Sequence, residues 1–193
     1  MTLRGNARLA GVAFLLNFVT GIVRAVLFNQ VSAGDGTAAR LANIAQHAPL
    51  VRVTALLVLL EFLYQAVLAA TLYALTRYQD RDLGLLAAGC RLTEGVIAAI
   101  ATGNRLDLLA VAIASRTATG ADAAAAQALG ATLLGGSAGP AALCFAVSNL
   151  IFAWLFLRAR SIPVWLAGLG VVASILGLVE LSLRMLGFLQ EPS

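Results

Sequence analysis

The sequence contains no lysine, one histidine and two cysteines, and charged residues make up 11% of its 193 residues. Soluble domains carry about 25% charged residues, so this composition argues against a soluble fold. All 13 basic residues are arginines, and they are scattered rather than gathered in a patch, which argues against nucleic-acid binding. The two cysteines lack metal-ligand spacing, and neither an aspartate-rich diphosphate motif nor a phosphate-binding loop occurs. We therefore expect no metal and no cofactor.

Apolar residues, at 61% of the chain, are arranged in long runs. A helix that crosses the hydrocarbon core of a bilayer needs about 20 of them. The pattern predicts an all-α protein, a polytopic membrane helical bundle that forms a single membrane domain over residues 1–193. The five predicted transmembrane helices cover about residues 9–28, 53–75, 83–103, 141–157 and 164–189.

Two longer loops, both on the outer side of this topology, are predicted to carry short amphipathic surface helices. Residues 37–47 place Leu41 and Ile44 on one side of a helix. In the second loop, Asp122 is a predicted cap for a helix that runs to Leu134, and the segment 135–140 breaks it. Residues 104–115 keep helical periodicity, and they either extend the third transmembrane helix or form a separate surface helix.

An odd number of spans places the two termini on opposite sides of the membrane. On one side the arginines lie close to span ends, whereas on the other they are spread through the long loops. Closely flanking arginines mark the cytoplasmic face, which predicts a cytoplasmic N-terminus. These flanking residues are Arg4, Arg8, Arg77, Arg81, Arg158 and Arg160.

Charged residues also occur inside the predicted spans. Arg91 and Glu94 lie near the middle of the third span and, being three residues apart, share one helix face. A charge at that depth costs about 2.5 to 3.5 kcal/mol, so we expect the pair to face inward and to meet partners in the outer half of the bilayer. The other charges expected in the same cluster are Arg24, Glu61, Glu180 and Arg184.

Such a cluster has two interpretations. It is either a self-satisfied network that fixes helix packing or a polar pocket that binds a ligand. For a pocket, the candidate catalytic residues are Glu94, Glu61 and Glu180. The candidate substrate-binding residues are Arg91, Arg24, Arg184, Gln65, Tyr64, Asn17 and Asn149, and no metal ligand is predicted.

Three patches of the chain resemble an uncharacterised bacterial membrane family, domain of unknown function 4386. The first patch is Arg8–Gly11, at the start of the first span. The second runs through Leu72–Leu75 and Leu83–Ala88 to the Arg91–Glu94 element, and the third is Arg160–Gly168. The resemblance implies a compact multi-span fold in a bacterial inner membrane and carries no established activity.

Three functions are compatible with these features, and whether the protein is an enzyme is left open. The first is a membrane-embedded enzyme that acts on a lipophilic substrate such as an isoprenoid, with Glu94 or Glu61 as general acid/base and Arg91 or Arg24 as an anion or carbonyl binder. The second is a small transporter or proton-coupled carrier, although five spans without an inverted repeat are few. The third is a non-catalytic membrane partner subunit with structural charge pairs. The expected partner is a lipid or small lipophilic ligand, and a homo-oligomer is left open.

Overall fold

The computed structural model describes residues 2–135, 139–186 and 188, except for the side chains of Leu3 and Met185. Within these residues the chain is helical and contains no strand, which confirms the all-α prediction. Five stretches are long and apolar enough to cross a membrane, so this is a multi-pass membrane protein. The helices are α1 (Leu3–Val31), α2 (Thr37–Gln46), α3 (Ala48–Thr76), α4 (Arg81–Ala114), α5 (Ala121–Leu134), α6 (Gly139–Ala159) and α7 (Val164–Met185).

The predicted spans correspond to α1, α3, α4, α6 and α7, which mostly extend beyond them. Hydropathy detects the apolar centre of a helix, whereas hydrogen bonding continues through polar ends such as Arg4 and Arg158. The predicted end of the fifth span is only partly visible, because residues 187 and 189 lie outside the described residues. Residues 136–138 of the predicted break also lie outside them, while Gly139 and Pro140 form the first turn of α6, where a proline is tolerated.

Helix α4 is one uninterrupted helix of 34 residues. At 1.5 Å per residue it is about 51 Å long, well beyond the thickness of about 30 Å of a hydrocarbon core. No proline occurs between Arg81 and Ala114, and Gly103 alone does not stop the helix. Of the two alternatives for residues 104–115, the extension of the third helix is therefore the one observed, up to Ala114.

The two predicted surface helices are both present, as α2 and α5. Glycines with positive φ at Gly34 (146°) and Gly36 (85°) make the turn before α2, which buries Leu41 and Ile44 as predicted. The predicted cap of α5 is wrong in detail: Gly120 occupies the N-cap position, without a side-chain hydrogen bond. Asp122 lies instead in the first turn, where a carboxylate interacts favourably with the helix dipole.

The helices form two compact units, each with its own apolar core. Unit 1 comprises Met1–Leu15, Leu63–Ile97 and Ala138–Ser193, and unit 2 comprises Leu16–Phe62 and Ala98–Ser137. The buried core residues of unit 1 are Ala69, Ala87, Ala88 and Phe152. Those of unit 2 are Val31, Leu41, Ile44, Ala45, Val51, Leu108, Leu109 and Ala112. Each core therefore joins segments that are distant in sequence.

The contact between α2 and α5 predicts an intolerance to side chains at Gly130. A Cβ atom at Gly130 would lie 2.9 Å from Cδ1 of Leu41, which is itself only 1% exposed. Gly130→Val should therefore destabilise unit 2 by about 1 to 3 kcal/mol through overpacking. The matched control is Gly103→Val, because Gly103 is a helical glycine of the same unit with no neighbour in reach of a Cβ atom. Equal thermal unfolding midpoints for the two variants in detergent would contradict this packing.

Candidate functional site

A buried arginine forms the centre of the polar contacts in unit 1. Arg91 is 4% exposed, and its Nη1 donates to Oε2 of Glu94 at 3.0 Å. Its Nη2 donates to Oδ1 of Asn149, and its guanidinium lies 5.1 Å from the centroid of the Phe145 ring. Oε1 of Glu94 accepts a further hydrogen bond from Nε2 of Gln65 at 2.9 Å. The network therefore ties together α3, α4 and α6.

The local sequence explains how this network forms. Arg91 and Glu94 are three residues apart on α4, so their side chains lie next to each other on one helix face. The pair is neutral as a whole, which lowers the cost of placing either charge among apolar side chains. Within the described residues, Nε of Arg91 is buried and has no hydrogen-bond partner. One donor of the guanidinium is thus left for another group.

Arg91 and Asn149 both line a cavity of about 650 Å³ in unit 1. Its walls are otherwise almost entirely apolar, with Ser174 as a further polar residue. Small-molecule sites typically measure about 300 to 1,000 Å³ and combine apolar walls with a few polar groups, which is the arrangement found here. The aromatic lining residues are Phe14, Phe145, Phe152 and Phe156, and the small residues of α7 among the lining are Ala167, Gly170, Ala173, Ser174 and Gly177.

The other charges of the predicted cluster also form ion pairs. In unit 2, Nε of Arg24 donates to Oε1 of Glu61 at 2.8 Å. On α7, Nη2 of Arg184 lies 2.9 Å from Oε1 of Glu180, and both side chains are about half exposed. Each of these six charges has its partner within a pair. The sequence suggested that all six converge on one point, and the observed pairs do not require this. None of the three glutamates is among the described residues that line the cavity.

The remaining predicted residues are placed less centrally. Tyr64 precedes Gln65 on α3 and is partly buried, while Asn17 lies on α1 in unit 2 and has a buried Oδ1 without a partner in the described part of the chain.

Sequence reasoning missed Phe145 as the ring under Arg91 and the small residues of α7 as a cavity wall. The recurrence of Gly170, Ser174 and Gly177 every three to four residues was the available signal for that wall.

Comparison with known proteins agrees with the patches noted in the sequence. A family model described as a domain of unknown function (DUF4386) matches residues 9–191. The chain belongs to this family. No curated protein and no solved structure matches it. The DUF4386 match includes the segments that carry Arg91, Glu94 and Asn149, and the description of the family names no activity. Function must therefore be inferred from the geometry of this DUF4386 protein itself.

The Arg91–Glu94 contact predicts a strongly non-additive mutant cycle. Arg91→Leu should destabilise the protein by about 3 to 5 kcal/mol, because it removes the arginine from a buried carboxylate. Replacing both residues by leucine should recover most of this loss, since no buried charge then remains. The measurement is thermal unfolding in detergent of the wild type, both single variants and the double variant.

The exposed pair on α7 supplies the control for this cycle. The corresponding leucine variants of Arg184 and Glu180 should change stability by less than about 1 kcal/mol, because both side chains are about half exposed near the end of α7 rather than buried among other helices. An Arg91→Leu variant no less stable than Arg184→Leu would show that the contact in unit 1 contributes nothing specific.

Proposed function

We propose that this protein binds a lipophilic molecule with an anionic or hydrogen-bond-accepting end in the cavity of unit 1. The observation that carries the proposal is the position of Arg91: a guanidinium that is 4% exposed lines an otherwise apolar cavity with one buried donor, Nε, without a partner in the described part of the chain. Intramembrane ionisable residues are functional candidates by default, because keeping them there is costly.

The polar groups favour an acceptor on the ligand. Asn149 uses its oxygen to accept from Arg91, which leaves its amide nitrogen as a second donor at the cavity wall. A carboxylate, phosphate or carbonyl oxygen placed there would accept from both side chains. The rings of Phe14, Phe145 and Phe152 would contact the apolar body of the ligand. The cavity volume of about 650 Å³ suits a short lipid or an isoprenoid.

Glu94 and Gln65 hold Arg91 in place in this proposal. Both lie behind the guanidinium, at 3.0 Å for Glu94 to Arg91 and 2.9 Å for Gln65 to Glu94, and neither is among the cavity-lining residues. Ligand binding is therefore better supported than proton transfer. The acid/base role of Glu94, Glu61 and Glu180 stays a prediction, as do the carrier and partner-subunit alternatives.

The same proposal includes an orientation in the membrane. We infer a bacterial inner membrane, from the family resemblance, with the N-terminus in the cytoplasm. Arg77 and Arg81 flank the turn between α3 and α4, and Arg158 and Arg160 lie at the α6 end of the turn between α6 and α7. Short arginine-flanked turns of this kind remain on the cytoplasmic side during insertion.

The binding proposal predicts that ligand retention depends on Arg91. Wild-type protein purified in detergent should carry an amphiphile with an acidic or carbonyl end, detected by mass spectrometry of the extracted molecules. Arg91→Gln should reduce its occupancy about tenfold, the effect of losing one charge-assisted hydrogen bond. Arg184→Gln removes the same charge from an exposed site in the same unit and should leave occupancy unchanged. The proposal fails if both variants retain the same molecules as the wild type.

A second prediction tests the cavity without touching any polar residue. Among the described residues, no atom outside the helical turns around Gly177 lies within 4 Å of a Cβ built on this glycine. Gly177 lines the cavity, so Gly177→Leu should fill the space and displace the ligand. Gly168 lies on the same helix with equally open surroundings and is not among the cavity-lining residues, so Gly168→Leu is the matched control. Both variants should unfold at similar temperatures. A Gly177→Leu protein that binds as much ligand as Gly168→Leu would exclude this cavity as the site.

A further inference from the structure

Unit 2 contains a cluster of side chains with more positive than negative charge, and this cluster is separate from the cavity of unit 1. Arg24 donates to Glu61 across 2.8 Å, and Arg105 of α4 interacts electrostatically with both of them. The two guanidiniums therefore lie near a single carboxylate, which only Arg24 contacts in the described part of the chain. Both arginines lie in helices that are long and apolar enough to cross a membrane. Because the guanidinium of Arg105 is partly buried, a net positive charge there is costly unless a further negative group neutralises it.

The guanidinium of Arg105 is held in place and incompletely satisfied. It lies 4.8 Å from the centroid of the Phe28 ring, a stacking geometry that restrains the side chain. Its Nη1 is buried and has no hydrogen-bond partner within the described residues. A buried charged donor of this kind destabilises the fold unless it is satisfied. The donor is therefore available to an acceptor that the described part of the chain does not provide.

One face of α1 is built around the same charges. Asn17, Gly21, Arg24 and Phe28 follow one another at intervals of three to four residues and so lie on one side of the helix. A Cβ atom at Gly21 would lie 3.9 Å from Oε1 of Glu61, so the carboxylate packs close to the α1 backbone. With Arg24 held by Glu61 and Arg105 by Phe28, the two guanidiniums are pre-organised.

We propose that unit 2 binds an oxyanion, a phosphate or carboxylate group, between Arg24 and Arg105. A single negative charge would balance the two arginines and Glu61, and its oxygens would accept from the unsatisfied donor of Arg105. Guanidinium groups bind such oxyanions through parallel hydrogen bonds. The group belongs either to a lipid headgroup or to a free anion, since both present the same oxygens. This site does not depend on ligand binding in unit 1.

The test compares anions on the purified full-length protein. Thermal unfolding is measured in inorganic phosphate against chloride at equal ionic strength, and in nanodiscs of phosphatidylglycerol against phosphatidylcholine. Phosphate stabilises most proteins nonspecifically, so the difference between variants is the relevant quantity. The anion should raise the unfolding midpoint of the wild type, and this rise should be absent in Arg105→Gln. Glu61→Gln should enlarge it, because the site then carries a greater positive charge.

The controls separate the site from general charge effects. Arg116→Gln removes an exposed arginine from the same unit and should keep the wild-type response. If Arg105→Gln does not fold, Arg105→Lys takes its place and should reduce the response. A response to phosphate alone identifies a free anion, and one to phosphatidylglycerol alone identifies a headgroup. Equal responses of the wild type and the Arg105 variant, or none in either, would overturn the proposal.

Discussion

The constraint on which the structure depends is the cost of placing arginine among apolar side chains. Arg91 is almost completely buried, and its neighbours are arranged to offset that cost. Glu94, on the same helix, neutralises its charge. On α6, Asn149 accepts a hydrogen bond from the guanidinium, and the ring of Phe145 lies next to it. Because removing one member exposes the others to the full penalty, these contacts also fix how α4 and α6 pack. The polar network thus determines how α4 and α6 are positioned, and this positioning determines the shape of the cavity.

The two units meet this cost in different ways. In unit 1 Arg91 pairs with Glu94, and the side-chain amides of Gln65 and Asn149 complete the hydrogen-bond network. In unit 2 Glu61 forms an ion pair with Arg24, and the guanidinium of Arg105, which lies close enough to interact electrostatically with both, packs against the ring of Phe28. The pair on α7 is about half exposed and gains little from its contact. The two proposed sites therefore differ in charge: Arg91 and Glu94 form a neutral pair, whereas Arg24, Arg105 and Glu61 together are positive.

Much of the fold could be predicted from the sequence because it depends on local patterns. Apolar run length fixed the five spans, and three-residue spacing placed Arg91 beside Glu94. Contacts between side chains on different helices could not be predicted in this way. The association of Arg105 with Arg24 and Glu61 depends on the continuation of α4 past Gly103, and the contact of Arg91 with Phe145 depends on the register of α6 against α4. Periodicity within one helix does not report that register.

The small residues of α7 show how one residue type serves two purposes. At Gly170 a Cβ atom would lie 3.2 Å from Cβ of Ala153, so this glycine permits close contact between α6 and α7. At Gly177 no described residue outside the same helical turns comes within 4 Å of such an atom, although both glycines line the same cavity. Close packing at one position and open space two turns later mean that the cavity arises from the spacing of the helices as well as from missing side chains. Its walls are therefore as much a property of backbone packing as of composition, and the packing of α6 is tied to Arg91 through Asn149.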